Sequence, residues 1–219
     1  MTPPRIKICC ISSVDEAQLA VMQGASAIGL VSHMPSGPGV IPEPLLAEIA
    51  ARVPPPVATF LLTALRDADA IAQQHARCGT TALQLVDMVA PQELRRLRRL
   101  LPHVRLVQVV HVRGEPCIDE ALAVAGLVDA LLLDSGNPTL PVKELGGTGR
   151  VHDWKLSRRI RDRAGKPVFL AGGLNATNVA AAIEAVRPFG LDLCSGVRQG
   201  GALDADRLSA FMRSAGALR

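Results

Sequence analysis

The sequence predicts an α/β chain folded as a (β/α)8 barrel, a parallel eight-stranded TIM barrel, and three observations predict it. Short apolar runs alternate with amphipathic stretches from end to end, with Gly, Pro, Asp or Asn between them. The count is eight strand-like runs, each followed by a helix-like stretch, with no segment left over. The runs are apolar on both faces, as in Val128–Leu133, which suits a parallel sheet covered by helices rather than a half-exposed one.

The strands are expected at Arg5–Ile11, Ser26–Val31, Val57–Leu62, Ala82–Leu85, Val104–Val112, Val128–Asp134, Pro167–Ala171 and Leu191–Cys194. The helices that follow them are expected at Asp15–Gln23, Pro44–Arg52, Asp67–Cys78, Pro91–Leu101, Ile118–Ala125, Trp154–Arg163, Asn175–Val186 and Asp204–Ala215. An open doubly wound sheet is the rival arrangement, but no GxGxxG follows the first strand, where a dinucleotide fold places it. The longest irregular stretches, Ser32–Glu43 and Ser135–His152, both follow strands and so should build the mouth of the barrel.

Length and composition fit one domain spanning 1–219, since 219 residues with 48% hydrophobic side chains can bury one such core. The net charge of +4 is scattered, and aromatic residues make up only 2% of the chain, so a stacking nucleic-acid surface is not expected. The densest basic run, Arg95, Arg96, Arg98 and Arg99, alternates with leucines at helical spacing and reads as a solvated helix face. No apolar run reaches membrane-spanning length and no signal region opens the chain, which implies a cytoplasmic protein with no membrane partner. Five cysteines without CxxC spacing suggest neither a disulfide framework nor a zinc site.

Alternation within Lys7-Ile8-Cys9-Cys10-Ile11 puts Lys7, Cys9 and Ile11 on one face and Ile8 and Cys10 on the other. Lys7 is costly against the helical layer, so its face should be the lumen, with Cys9 as the cysteine beside the site. A neighbouring cation favours a thiolate, the form able to remove a proton. Spacing alone also fits two cysteines packed as small hydrophobes. Asp134 ends the apolar run Leu131–Leu133 and places a carboxylate where the mouth begins, although it could equally cap the turn through Ser135 and Gly136. In an eight-strand ring Cys9 and Asp134 would face each other across the mouth, a workable arrangement for an acid–base isomerase.

Two small-residue loops, Ala171-Gly172-Gly173-Leu174-Asn175 and Leu193-Cys194-Ser195-Gly196-Val197, leave the seventh and eighth strands. Backbone N–H groups there could cradle a phosphate, a recurrent position in such barrels; each loop by itself could be an ordinary turn. Asn175 is the expected N-cap of the seventh helix. Gly146-Gly147-Thr148-Gly149 reads as a loop segment over the site. His33 and His111 lie near strand ends and could join the chemistry, but read better as packed or solvated side chains, and Trp154 reads as core rather than a ligand contact.

At these residues the sequence resembles the phosphoribosylanthranilate isomerase family over the length of the chain. Lys7-Ile8-Cys9 is similar to the family's first-strand Lys-Ile-Cys, with Cys10 where glycine is usual. Leu132-Leu133-Asp134, Gly146–Gly149, Asp153-Trp154, Ala171–Asn175 with Asn178-Val179, Arg187-Pro188-Phe189, Asp192 and Ser195-Gly196-Val197 resemble its later motifs. The resemblance implies an Amadori rearrangement of an aminated ribose phosphate, with Asp134 as general acid and Cys9 as general base. It further implies that backbone N–H groups around Gly172, Gly173, Ser195 and Gly196 hold the phosphate; Lys7 and Arg198 are expected to add cations to substrate binding. It implies no metal and no organic cofactor, and a monomer or homodimer.

The sequence departs from the family in substrate recognition. Ser36–Val40 lacks the arginine that meets the anthranilate carboxylate, Gln84-Leu85-Val86 replaces Gln-Leu-His, and Arg198 stands where an acidic residue is usual. Arg198 is the expected substitute cation, and an arginine introduced at Gly39 is expected to restore one. Two alternatives stay open: a divergent relative acting on another aminated phosphosugar, and a catalytically silent phosphate-binding barrel.

Overall fold

A computed structural model describes residues 3–216. Eight parallel strands close into a barrel in chain order: β1 (Arg5–Ile8), β2 (Ala27–Val31), β3 (Ala58–Thr63), β4 (Ala82–Leu85), β5 (Arg105–His111), β6 (Ala130–Asp134), β7 (Val168–Leu170) and β8 (Gly190–Leu193). The ring is sealed by β1 against β8, with Lys7 opposite Asp192. Around it lie α1 (Val14–Met22), α2 (Glu43–Arg52), α3 (Ala68–Cys78), α4 (Pro91–Leu100), α5 (Pro116–Ala125), α6 (Trp154–Arg163), α7 (Val179–Val186) and α8 (Ala205–Ser214). An antiparallel hairpin that the pattern does not reveal, β9 (Arg198–Gln199) with β10 (Ala202–Leu203), follows β8. No helix among the described residues is long and apolar enough to cross a membrane.

The helices start where the chemistry of their first turns dictates. Ser13, Asp67, Asp153 and Asp204 accept hydrogen bonds from backbone N–H groups at the starts of α1, α3, α6 and α8. Proline in the first turn opens α2, α4 and α5, where its missing N–H costs nothing. Asn175 does not cap α7. Its side-chain oxygen is taken by Thr177 and by the N–H of Asn178, which closes a turn and delays the regular helix to Val179.

Two apolar layers hold the ring. Outward strand residues such as Ile6, Ile8, Leu30, Leu83 and Leu133 pack under the helices, and each fully buried aliphatic side chain of this kind contributes about 1.5–3 kcal/mol. Inward residues including Phe60, Leu62, Val107, Leu132 and Phe169 fill the lumen. Phe60 and Phe169 meet edge to face at 6.2 Å.

The strand around Cys9 is shorter than alternation predicts. β1 ends at Ile8, and Cys10 has φ of +61°, in the left-handed region. That break in the pleat puts both Cys9 and Cys10 in the inner layer and returns Ile11 to the outer one. The expectation that only one cysteine faces the lumen is therefore corrected by the backbone. The left-handed conformation also accounts for glycine being usual at this position in the resembling sequences.

Candidate active site

At the C-terminal end of the barrel an open cleft is lined by Cys9, Cys10, Gln84, Val86, Asp134, Gly172, Gly173, Asp192, Cys194 and Ser195, among others. β6 delivers Asp134 by simple alternation, since Ala130 and Leu132 on the same face belong to the lumen layer. β7 and β8 lie between β6 and β1 in the ring, so the acid and Cys9 approach the cleft from well-separated strands.

Asp134 is nearly buried, at 8% exposure. Burial pushes its carboxyl above the usual carboxylate range, although the Ser135 N–H at 2.7 Å and the charge of Lys7 pull the other way. A carboxyl whose proton is held more tightly than usual is shifted in the direction that suits a proton donor. Gly146 lies directly over it: a Cβ there would begin 2.8 Å from Asp134 Oδ2.

Lys7 faces the lumen as expected, but it does not line the cleft. It is fully buried and bonds Asp192 at 2.7 Å, with the Phe60 ring 5.3 Å from its Nζ. Burial works against its charge, yet the Asp192 carboxylate and the Cys9 sulfur outweigh this and hold the ammonium above its ordinary value. Lys7 is thus a charge beneath the floor rather than a phosphate ligand. Its Nζ and the Cys9 Sγ converge on one point above Gly29, 2.7 and 2.9 Å from where a side chain there would begin. The sulfurs of Cys10 and Cys194 lie 2.8 Å apart. Bonding to Cys194 and Cys9, together with burial, pushes the Cys10 thiol up, which leaves less of it as the thiolate that could remove a proton.

The two small-residue loops stand side by side. A Cβ at Gly173 would fall 2.7 Å from the Gly149 oxygen, and one at Gly196 only 2.0 Å from the Leu174 oxygen, so side chains cannot enter this junction. The amides of Gly172, Gly173, Ser195 and Gly196 donate to no protein acceptor among the described residues. Gly172, Gly173 and Ser195 line the cleft, and Gly196, next in sequence, packs against the Leu174 carbonyl.

Arg198 does not reach the cleft. Its guanidinium grips Glu16 at 2.9 Å and bonds the carbonyls of Cys10 and Gly201, with its side chain 8% exposed. That network ties the start of β9 to α1, and the expected substitute cation is committed elsewhere. Gly39 cannot take an arginine either: its φ is +81°, and a Cβ would lie 2.5 Å from the Cys10 Cβ.

Sequence reasoning gave Gln84 no role. Its side chain lines the cleft, and its buried Oε1 has no partner among the described residues. A glutamine in the apolar run Ala82-Leu83-Gln84-Leu85, on the inward face with Ala82, is the signal that identifies it. The segment Gly146–Gly149 roofs the cleft, and Ser36 Oγ donates to the Lys143 carbonyl at 2.5 Å, joining the loops after β2 and β6. His111 lies off the cleft, its Nε2 3.1 Å from the Val86 carbonyl oxygen. His33 is exposed, and Trp154 packs against the outer core.

Residues 6–214 match the family model described as N-(5′-phosphoribosyl)anthranilate isomerase. A protein of that name from Desulforudis audaxviator is 36% identical over 96% of this chain and 97% of its own length. N-(5′-phosphoribosyl)anthranilate isomerase 2 of Methanosarcina mazei is 36% identical over 89% of this chain and 85% of its own. Among solved structures, phosphoribosyl anthranilate isomerase from Thermotoga maritima superposes with a TM-score of 0.84 at 29% identity, covering 98% of this chain and all (100%) of that one. Another structure of such an isomerase, in complex with reduced 1-(o-carboxyphenylamino)-1-deoxyribulose 5-phosphate, gives 0.81 at 27% identity, covering 98% and 100%.

Proposed function

The chain belongs to the N-(5′-phosphoribosyl)anthranilate isomerase family, and from that membership we propose how its own residues carry out the family's Amadori rearrangement. The enzyme is an aldose–ketose isomerase of tryptophan biosynthesis. The observation that carries the residue assignment is the convergence of a protonation-prone Asp134, the Cys9 sulfur and two amide-lined loops on one cleft.

In this reading the phosphate of the substrate lies against the amides of Gly173, Ser195 and Gly196, which sets the ribose across the cleft. Asp134 gives its proton to the furanose ring oxygen while the amine lone pair forms the C1=N bond and the C1–O bond breaks. Cys9, as thiolate, then takes the proton from C2, and the electrons of that C–H bond flow to the iminium nitrogen. The enolamine tautomerises to the ketone, so atoms and charge balance with the substrate nitrogen as the electron sink. Lys7 places positive charge beside Cys9, the neighbour a thiolate requires. Gln84, with an unpaired oxygen on the wall, accepts from a ribose hydroxyl.

The test is a steady-state assay of purified protein on N-(5′-phosphoribosyl)anthranilate, following the loss of substrate fluorescence and identifying the aminodeoxyketose product. Turnover to that product is expected. Binding of a phosphosugar with no rate above the uncatalysed one would instead establish a silent barrel.

A further inference from the structure

We propose that Lys143 is the cation that receives the carboxylate of the substrate's aromatic ring, exchanging Asp87 for it. The proposal rests on the phosphoribosylanthranilate reading, in which the substrate is anionic at both ends. The phosphate end is met by the loops after β7 and β8. The other end of the cleft is walled by Val31, Met34, Pro38, Leu62, Val86 and Leu145, an apolar surface that fits a benzene ring but offers its carboxylate nothing. No lysine or arginine lines the cleft among the described residues.

The remaining cations near the mouth are few. Arg198 is held by Glu16, Lys7 lies under the floor on Asp192, Arg150 pairs with Glu144, and Arg113 donates to Asn137 and Thr139 and lines separate clefts with His111 and Glu120. That leaves Lys143 and Arg66, which share one carboxylate, Asp87. Three links tie Lys143 to residues of the ring end. Its carbonyl accepts from the lining residue Ser36, it precedes the lining residue Leu145 by two positions, and its Nζ is bonded to Asp87, next in sequence to the lining residue Val86. Arg66 is the outer of the two, with a 63% exposed side chain and its Nε 3.8 Å from Asp87.

Charge balance permits the exchange. Asp87 holds two cations, so when Lys143 turns to a substrate carboxylate, Arg66 remains with Asp87 and no buried charge is stranded. A lysine on a flexible stem makes such a move readily. The cation thus comes from the loop after β6 in a chain whose Ser36–Val40 segment has none.

The test compares wild type, Lys143→Met and Lys143→Arg on phosphoribosylanthranilate and on phosphoribosylaniline, which lacks only the carboxylate. The ratio of kcat/KM between the two substrates should fall about 10- to 150-fold in Lys143→Met, the scale of one charge-assisted hydrogen bond, and recover at least in part in Lys143→Arg. A structural role through Asp87 would lower both substrates alike and leave the ratio unmoved, which would overturn the proposal. So would a wild type that does not discriminate between them. A wild type that turns over neither refutes the isomerase reading instead. Lys143 is then judged by calorimetric binding of reduced 1-(o-carboxyphenylamino)-1-deoxyribulose 5-phosphate, where equal affinity of wild type and Lys143→Met overturns its role.

Discussion

Asp134→Asn is expected to lower kcat on phosphoribosylanthranilate by about two orders of magnitude or more, the scale of a lost general acid. The fold should not suffer. A carboxyl whose folded value is raised binds its proton more tightly in the native state than in the unfolded chain. Its contribution to stability is present at low pH and is lost as pH rises through the raised value. Asparagine removes that loss, so the melting temperature of the variant near neutral pH should equal or exceed that of wild type. The pH profile carries the same sign: wild-type kcat should fall as Asp134 deprotonates, and the variant's residual rate should lack that limb. Calorimetry and a pH–rate series check both. A variant that is slow because it is unfolded, or one that keeps the wild-type limb, would remove Asp134 from the acid's role.

Cys9→Ser should be as damaging, by about two orders of magnitude or more, because a hydroxyl in the same place is a far weaker proton acceptor at neutral pH. The informative companion is Cys10→Gly. Glycine accepts the φ of +61° at that position without strain and removes a thiol that bonding and burial hold protonated. Its cost should be less than about tenfold, well below the general-base scale. Both cysteines line the cleft, so the pair of rates decides between them. If Cys10→Gly is inactive and Cys9→Ser is active, the base is Cys10.

What could be read from the sequence was whatever repeats at short range. Eight apolar runs with helices between them define the barrel, and alternation along Ala130, Leu132 and Asp134 is enough to aim the acid inward. A lysine is costly against the helical layer, which assigns Lys7 to the lumen, and its Nζ lies in the lumen beside the Phe60 ring. Its partner was out of reach of the same reasoning, since the Lys7–Asp192 pair joins positions at opposite ends of the chain. Arg198 illustrates the same limit: its commitment to Glu16 depends on where α1 ends up relative to β9, which no local pattern encodes. Cys10 escaped for a different reason. One residue with a left-handed backbone reverses which side chains face inward, and periodicity assumes that no such residue intervenes. Gly39, too, is closed by a contact with Cys10 that exists only after the loop after β2 folds back over β1.

The most direct test of the acid, base and phosphate assignment is a crystal structure with reduced 1-(o-carboxyphenylamino)-1-deoxyribulose 5-phosphate bound. The account predicts phosphate oxygens within hydrogen-bond distance of the Gly173 and Gly196 amides, the ribulose chain between Cys9 Sγ and the Asp134 carboxyl, and the aromatic ring against Val86 and Leu145. A phosphate held elsewhere, or a sugar chain that does not pass between Cys9 and Asp134, would contradict it.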